Sequence, residues 1–354
     1  PAAVAAAEHI RELDTDSKVT MIGAQAQPPY SRMAIPYFLT GKVEQKGTYL
    51  RRSDNHYAEK GIDYLHDEVV SVQPEDHSLS LASGEKIQYD KLLLATGAEP
   101  IIPPVPGMDD PRVQQCWHLE DAERIIDLAK PGARAVQVGA GFIGLELAEA
   151  LAKRGVQVQL LTRSERLLNG FERPFAQPLF DELFRHGAEL IVGEQVEGIE
   201  GRNGQVVAVS TDKGRYAADL VLLATGLEPG AELARSAGIA LGQSGAIAVN
   251  DRMKTDVVGI WAAGDCIEVK HVVTGEPVYA PLALTANRTG RIAGDNVGAQ
   301  SAGKTSSQRF RGTAGTLIAK VFGFTAAQTG LTLLEAERAG FSASVFTRQS
   351  RTRA

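Results

Sequence analysis

Two stretches of the chain, QYDKLLLATGAEP (Gln88 to Pro100) and AADLVLLATGLEP (Ala217 to Pro229), repeat one pattern 129 residues apart. Each holds an aspartate, an apolar run fit for a fully buried parallel strand, and then Ala-Thr-Gly-x-Glu-Pro. The glycine of that turn lets the backbone come close to something. A duplication of this kind points to two related nucleotide-binding units.

The second unit declares its start. ARAVQVGAGFIGLELAEALAKRGVQVQLL reads as a strand (Ala135 to Val138), Gly139-x-Gly141-x-x-Gly144, a helix to Arg154 and a further strand (Val156 to Leu161). The glycines lie where a strand turns into a helix, whose free amides and positive end can receive a pyrophosphate. Candidate contacts for a nicotinamide dinucleotide are Gly139, Gly141, Phe142, Ile143, Gly144 and Glu146, with Thr225 and Gly226 from the second repeat. A merely tight strand-to-helix turn is the bland alternative. An acid closing the second strand would bond the ribose hydroxyls and repel a 2′-phosphate. Thr162 stands there instead, followed by Arg163 and Arg166. NADPH is therefore expected to be accepted, with NADH the alternative.

The chain opens PAAVAAAEHIRELDTDSKVTMIG, which reads as the helix and second strand of a first unit. Aligning VTMIG with VQLLT puts Ala3 near the slot of Gly144. The first strand and its glycine pair are then expected to fall just before Pro1, because a parallel sheet without its central strand would be badly unsatisfied.

With 354 residues, 44% of them hydrophobic and 23% charged, the chain is long enough for two or three domains. The net charge is -6, and lysines and arginines cluster only in the closing RQSRTRA, so nucleic-acid binding has no electrostatic support. No apolar run approaches the ~20 residues needed to cross a bilayer, and a cytoplasmic protein is expected. Cys116 and Cys266 lack CxxC spacing and read as ordinary buried thiols. The seven histidines show no HExxH pattern, so no metal is expected.

A third motif, TDVVGIWAAGDCIE (Thr255 to Glu268), is an apolar strand ending in Ala-Gly-Asp. With the two Ala-Thr-Gly turns and the glycine motif, it resembles the two-dinucleotide flavoprotein reductases, the FAD-dependent pyridine nucleotide oxidoreductases. The resemblance implies that Asp265 holds a ribityl hydroxyl of FAD, an N-cap or turn aspartate being the bland alternative. It also implies that a helix beginning in PLALTANRTGR (Pro281 to Arg291) aims amides at the isoalloxazine. The remaining FAD contacts would be Pro1, Ala3, Gln25, Arg32, Val69, Ala95, Thr96, Gly97, Gly264, Leu282 and Ala283. The fold class is then α/β, with two Rossmann-like dinucleotide-binding domains for FAD and NAD(P) plus the start of a C-terminal α+β interface domain. The expected division is 1–112 and 246–306 for FAD, 113–245 for NAD(P), and 307–354 for the interface domain, with a homodimer implied.

The run GDCIEVKHVVTGEPVYAPLALTANRTGRIAGDNV, followed by GTLIAKVFGFTAAQTGLT, looks most like the coenzyme A disulfide reductase, NADH oxidase and persulfide reductase branch. The loop after the second strand carries a redox-active cysteine in that branch. Here the loop reads PYSRMAIPYF (Pro29 to Phe38), with Arg32 or Met33 in that slot. A guanidinium cannot cycle between thiol and disulfide, which demotes a disulfide or persulfide reductase. The PYSR wording is similar to the flavin reductases that feed rubredoxin, ferredoxin or a nitrite-reducing centre. Those place a lysine a few residues later, near the flavin, where Tyr37 stands here. Arg32 is read as a donor to the flavin diphosphate or ring edge, against a surface ion pair. Tyr37 is read as a wall of the flavin site or as packing, and Gln25 as the replacement for the acid expected at the flavin adenosine ribose. No catalytic residue is assigned beyond Arg32 and Tyr37 as candidates near the flavin. The expected activity is hydride transfer from NAD(P)H to FAD, with electrons passing on to a small electron-transfer protein, a quinone or dioxygen. The alternative is a redox sensor or interaction protein similar to apoptosis-inducing factor.

Overall fold

The computed structural model describes residues 1–165, 168, 171–202 and 205–350. The chain opens with α1 (Ala2–Leu13), β1 (Val19–Gly23), the short helices α2 (Ile35–Leu39) and α3 (His56–Glu59), and β2 (Ile62–His66). An antiparallel meander of β3 (Val69–Gln73), β4 (Ser78–Leu81) and β5 (Lys86–Gln88) leads to β6 (Leu92–Leu94) and β7 (Ala98–Pro100). Next come β8 (Val113–Gln114), α4 (Leu119–Leu128), β9 (Arg134–Val138), α5 (Phe142–Lys153), β10 (Gln157–Thr162), α6 (Arg173–Arg185) and β11 (Ala188–Val192). A second meander follows, β12 (Val196–Arg202), β13 (Gln205–Thr211) and β14 (Arg215–Ala217), then β15 (Leu220–Leu223), β16 (Leu227–Pro229) and α7 (Glu232–Ser236). The chain closes with β17 (Ile260–Ala262), β18 (Glu268–Lys270), β19 (Pro277–Tyr279), α8 (Ala283–Ser301), the hairpin β20 (Leu317–Val321) and β21 (Phe324–Gln328), and α9 (Leu333–Arg338).

Among the described residues, the second unit is a parallel sheet in the order β11-β10-β9-β15-β8. Leu220, Val221, Leu222 and Leu223 are all buried, as a strand covered on both faces requires. In the first unit β1 pairs in parallel with β2, and β6 pairs in parallel with β17.

The two repeats turn out to be the crossings between the units. β7 and β16, the Ala/Leu-Glu-Pro ends of the repeats, pair antiparallel with each other, Ala98 opposite Pro229, Glu99 opposite Glu228 and Pro100 opposite Leu227. Beyond this ribbon the residues that flank it divide between two cores, while Tyr30, Ile35 and Leu39 of the first unit join the core of the second. Val105 and Met108 pack with Val136, Val209 and Val221 of the second unit. Ala231, Ala234 and Ile239 pack with Leu94, Trp261 and Ile267 of the first. Ala231, Ala234 and Ile239 thus share the first unit's core, and Val105 and Met108 the second's.

α1 and α8 lie against each other through small residues. A Cβ at Gly290 would run into the Ala2 carbonyl, one at Gly294 would come within 2.6 Å of the Ala6 carbonyl, and one at Gly298 within 3.1 Å of the Ile10 Cα. This close contact fixes the start of α8 beside the start of α1. The β20–β21 hairpin joins the second unit, where Ala319, Val321 and Ala326 share a core with Leu147, Leu151 and Leu183.

Candidate active site

Each of the three glycines after β9 meets a different demand. Gly139 has φ 105° and a Cβ there would collide with the Ala224 carbonyl, so it makes the tight turn against β15. Gly144 sits where a Cβ would come within 2.5 Å of the Gly139 carbonyl, which lets α5 pack on the strand. Gly141 faces open space, with nothing within 4 Å, and caps α5 without a side-chain hydrogen bond. An exposed glycine at an uncapped helix start is what a pyrophosphate needs. Phe142 leans on Phe171, ring centroids 5.5 Å apart, and Ile143 after it is exposed. Burial, and then Glu149, push the Glu146 carboxyl above its ordinary pKa. Thr162 ends β10, with its Oγ1 accepting from the Ser164 amide at 3.3 Å. Arg163 is exposed and forms no ion pair among the described residues. Arg166 lies outside the described residues.

The close approach expected at the Ala-Thr-Gly turns is made first to the chain itself. Thr96 Oγ1 donates to the Gly230 carbonyl and the Gly230 amide donates to the Gly97 carbonyl at 2.9 Å. Thr225 Oγ1 donates to the Ile101 carbonyl and the Ile101 amide donates to the Gly226 carbonyl at 3.0 Å. Both threonine hydroxyls are thus committed to stapling the ribbon, and what they leave for a ligand is backbone. Ala95, Thr96 and Gly97 follow β6 at one end of the first unit's strands.

At the same end Gly264 has φ 92°, and a Cβ there would come within 2.9 Å of the Ala2 Cβ. Asp265 follows, with Oδ1 buried and without a hydrogen-bond partner among the described residues. Burial raises the Asp265 pKa, against the pull of Arg32. Asp265 lies in a turn and caps no helix, since α8 starts from Leu282 and no side chain caps it. The Leu282 amide donates to the Ala280 carbonyl at 2.8 Å, and the Ala283 amide after it has no partner among the described residues. Pro1 and Ala3 stand at the head of α1, which also lacks a side-chain cap. Val69 opens β3, opposite Leu81. An orphaned carboxylate oxygen between two uncapped helix starts, approached by glycine backbone, fits a polar diphosphate-containing group.

Arg32 reaches across from the loop after β1. Its guanidinium lies 4.5 Å from the Trp117 ring centroid, and its Nε donates to the Trp117 carbonyl at 3.1 Å. Both terminal nitrogens make no hydrogen bond and no ion pair among the described residues, so the surface ion pair does not form. Trp117 is held in turn by Asp121, whose Oδ2 accepts from the Trp117 and His118 amides at 2.8 Å each. Sequence reasoning missed Trp117, because a contact spanning 85 residues leaves no local pattern.

Tyr37 is 53% exposed, its ring 5.9 Å from Lys42 Nζ, so the core-packing reading needs correction. In α2 it is Ile35 and Leu39 that enter the core. Gln25 lies two residues past the end of β1, its amide bonded to the His118 ring, while the strand end matching Thr162 is Gly23. Cys116 and Cys266 are 5% and 0% exposed, and burial pushes both thiols up. Cys266 Sγ faces the Ala263 carbonyl at 3.4 Å. No cluster of metal-ligating side chains occurs among the described residues, and none of their helices is long and apolar enough to cross a membrane.

The model of the pyridine nucleotide-disulphide oxidoreductase family matches residues 1–290. The chain belongs to that family. This oxidoreductase is 35% identical over 344 residues to the NAD(P)H sulfur oxidoreductase (CoA-dependent) of Pyrococcus furiosus, covering 96% of this chain and 76% of the relative. Its fold matches a NAD-dependent persulfide reductase from A. fulgidus with a TM-score of 0.90 at 31% identity, over 96% of this chain and 64% of that one. It also matches an engineered water-forming NADPH oxidase, a variant of the Lactobacillus brevis NADH oxidase solved with NADPH bound. That likeness has a TM-score of 0.88 at 29% identity, over 96% of this chain and 76% of that one. The oxidoreductase thus spans under two thirds of the persulfide reductase chain. Its family works with FAD and NAD(P)H, the cofactors of this chain.

Proposed function

We propose that the chain is the flavin- and nicotinamide-binding part of an NAD(P)H oxidoreductase that hands electrons to an external acceptor without a redox-active cysteine. The observation that carries this reading is the combination of two buried thiols with a guanidinium, in the loop after β1, that forms no ion pair among the described residues. A thiol relay needs an accessible thiolate, and neither cysteine offers one. In the proposed site the first unit holds FAD and the second NAD(P)H, and the segment after 307 begins an interface domain through which a homodimer forms. Bound FAD supplies the redox chemistry, taking up a hydride equivalent and releasing electrons singly or as a pair. Asp265 accepts from a ribityl hydroxyl, which would satisfy its orphaned Oδ1. The free nitrogens of Arg32, pinned on Trp117, donate to the flavin diphosphate or ring edge. The start of α8 lays its amides under developing negative charge.

NADPH is the proposed donor. The engineered oxidase solved with NADPH has an Asp-Ala-Met run replaced by Ala-Arg-Ser, and this chain carries Thr162-Arg163-Ser164, uncharged, then arginine, then serine. The acceptor is a small electron-transfer protein, a quinone or dioxygen.

The test is anaerobic stopped-flow reduction of the full-length, flavin-loaded protein by NADH and NADPH, followed by mixing with each acceptor. Fast bleaching that an acceptor reverses, kept in a Cys116→Ser, Cys266→Ser double variant, is the expected result. A double variant that is reduced normally but no longer discharges to any acceptor would reinstate a thiol relay. A long-lived reduced complex that no acceptor discharges, even in wild type, would leave the sensor reading.

A further inference from the structure

The first unit has no acid where a dinucleotide-binding unit commonly carries one, and its second strand pair holds a substitute. β1 and β10 are equivalent strands, each the second strand of its unit and each ending on the last register pair of a parallel ladder. That pair is Gly23 with His66 in the first unit and Thr162 with Val192 in the second. This strand end is the position that meets ribose hydroxyls, ordinarily through a carboxylate. Gly23 has no side chain, but a Cβ built on it would lie 2.9 Å from Tyr64 Oη.

Tyr64 stands on β2 opposite Met21, two residues before the end of the ladder. Its counterpart in the second unit, opposite Leu160, is Leu190. Glycine thus goes with tyrosine in one unit, and threonine with leucine in the other. The Tyr64 ring is braced by Tyr57, stacked with centroids 6.3 Å apart. Its hydroxyl has one long hydrogen bond among the described residues, 3.5 Å to the Gln27 carbonyl, and the neighbouring Tyr57 Oη and Gln27 Oε1 are buried without partners. Tyr64 also lines a cavity of about 880 Å³ together with Pro28, Pro29, Arg51 and Tyr57, ample for a nucleoside.

We propose that the Tyr64 hydroxyl takes the place of the missing carboxylate and binds the hydroxyls of the adenosine ribose of FAD. The inference rests on the reading of the first unit as the FAD-binding one. A phenol donates one hydrogen bond and accepts another, where a carboxylate can only accept. Burial raises the Tyr64 pKa, so the donor is kept through the neutral range.

The experiment titrates the full-length apoprotein with FAD and with its 2′-deoxyadenosine analogue, followed by flavin fluorescence. Wild type is expected to bind FAD about tenfold tighter than the analogue. Tyr64→Phe is expected to bind both at the weaker, analogue-level affinity, with discrimination gone. Gly23→Glu alone sets its new Cβ against the phenol and weakens binding, whereas Gly23→Glu with Tyr64→Val restores both affinity and discrimination. If Tyr64→Phe keeps the wild-type ratio, the hydroxyl is not the ribose contact and the inference fails while the FAD site stands. If wild type takes up no FAD, the reading of the first unit fails and the inference falls with it.

Discussion

Thr162 and Arg163 carry the choice of nicotinamide at the scale of single residues. An arginine that forms no ion pair among the described residues, beside an uncharged strand end, gains a charge-assisted partner when a 2′-phosphate arrives, and an aspartate at the strand end would repel it. Thr162→Asp with Arg163→Ala is therefore expected to lower the ratio of kcat/KM for NADPH over NADH by more than about tenfold, measured with an artificial acceptor. An unchanged ratio would mean that the loop is only a solvated charged turn. A second residue-scale outcome concerns Glu8 on α1, which accepts from Arg51 Nε at 2.7 Å and pairs with His56 Nε2 at 2.8 Å. Burial works upward on its carboxyl, but the hydrogen bonds from Arg51 and His56 outweigh it and the pKa lies below the ordinary 4.5. An acid held low binds fewer protons folded than unfolded. Its contribution is thus complete above the unfolded pKa and is lost as pH falls through the lowered one. Glu8→Gln should cost about 1.5–3 kcal/mol in urea unfolding at neutral pH, with the gap to wild type closing as pH is taken well below 4.5.

At the scale of elements, the glycine turn after β9 separates a structural demand from a functional one. Gly139→Ala puts a Cβ into the Ala224 carbonyl at φ 105°, and a loss of about 1–3 kcal/mol or more is expected in thermal or urea unfolding. Gly141→Ala meets no atom within 4 Å and should leave stability within about 0.5 kcal/mol of wild type while weakening NAD(P)H binding several-fold, read by fluorescence titration. Equal stability losses in the two variants would overturn this division. This element was legible in the sequence because its three glycines lie within six residues between a strand and a helix, although the carbonyl that Gly139 must clear, that of Ala224, lies far along the chain. The start of α8 came only from the family resemblance. The seat of Arg32 was not, because Trp117 becomes its neighbour only when α4 folds beside α2. The end of β1 at Gly23 was legible, since VTMIG aligns with VQLLT, but its ladder partner, His66, is 43 positions away and leaves no local pattern. The glycines of α8, four apart, were visible in the sequence, but their partners on α1 are on another element.

For the whole molecule, the repeats do more than betray a duplication, since they tie the two units together through one two-fold ribbon. Thr96 reaches Gly230 as Thr225 reaches Ile101, and Gly97 and Gly226 accept matching amides, so each crossing completes the other. At the centre Glu99 and Glu228 stand directly opposite, an arrangement that like charges ordinarily disfavour. Burial, and after it the repulsion from Glu228, raise the Glu99 pKa, while Arg32 works against both. Arg32 thus acts electrostatically on Glu99, which links the crossing to the loop after β1. If the ribbon is one cooperative structure, losing either hydroxyl should already loosen both crossings, and losing the second should cost little more. Thr96→Val and Thr225→Val are each expected to destabilise by about 0.5–1.5 kcal/mol, and the double variant by less than the sum, with an interaction energy of about 0.5 kcal/mol or larger. Urea unfolding of the four proteins measures this directly. Strict additivity would mean that the two crossings hold independently, and that the duplication persists for the nucleotide sites alone rather than for the joint between them.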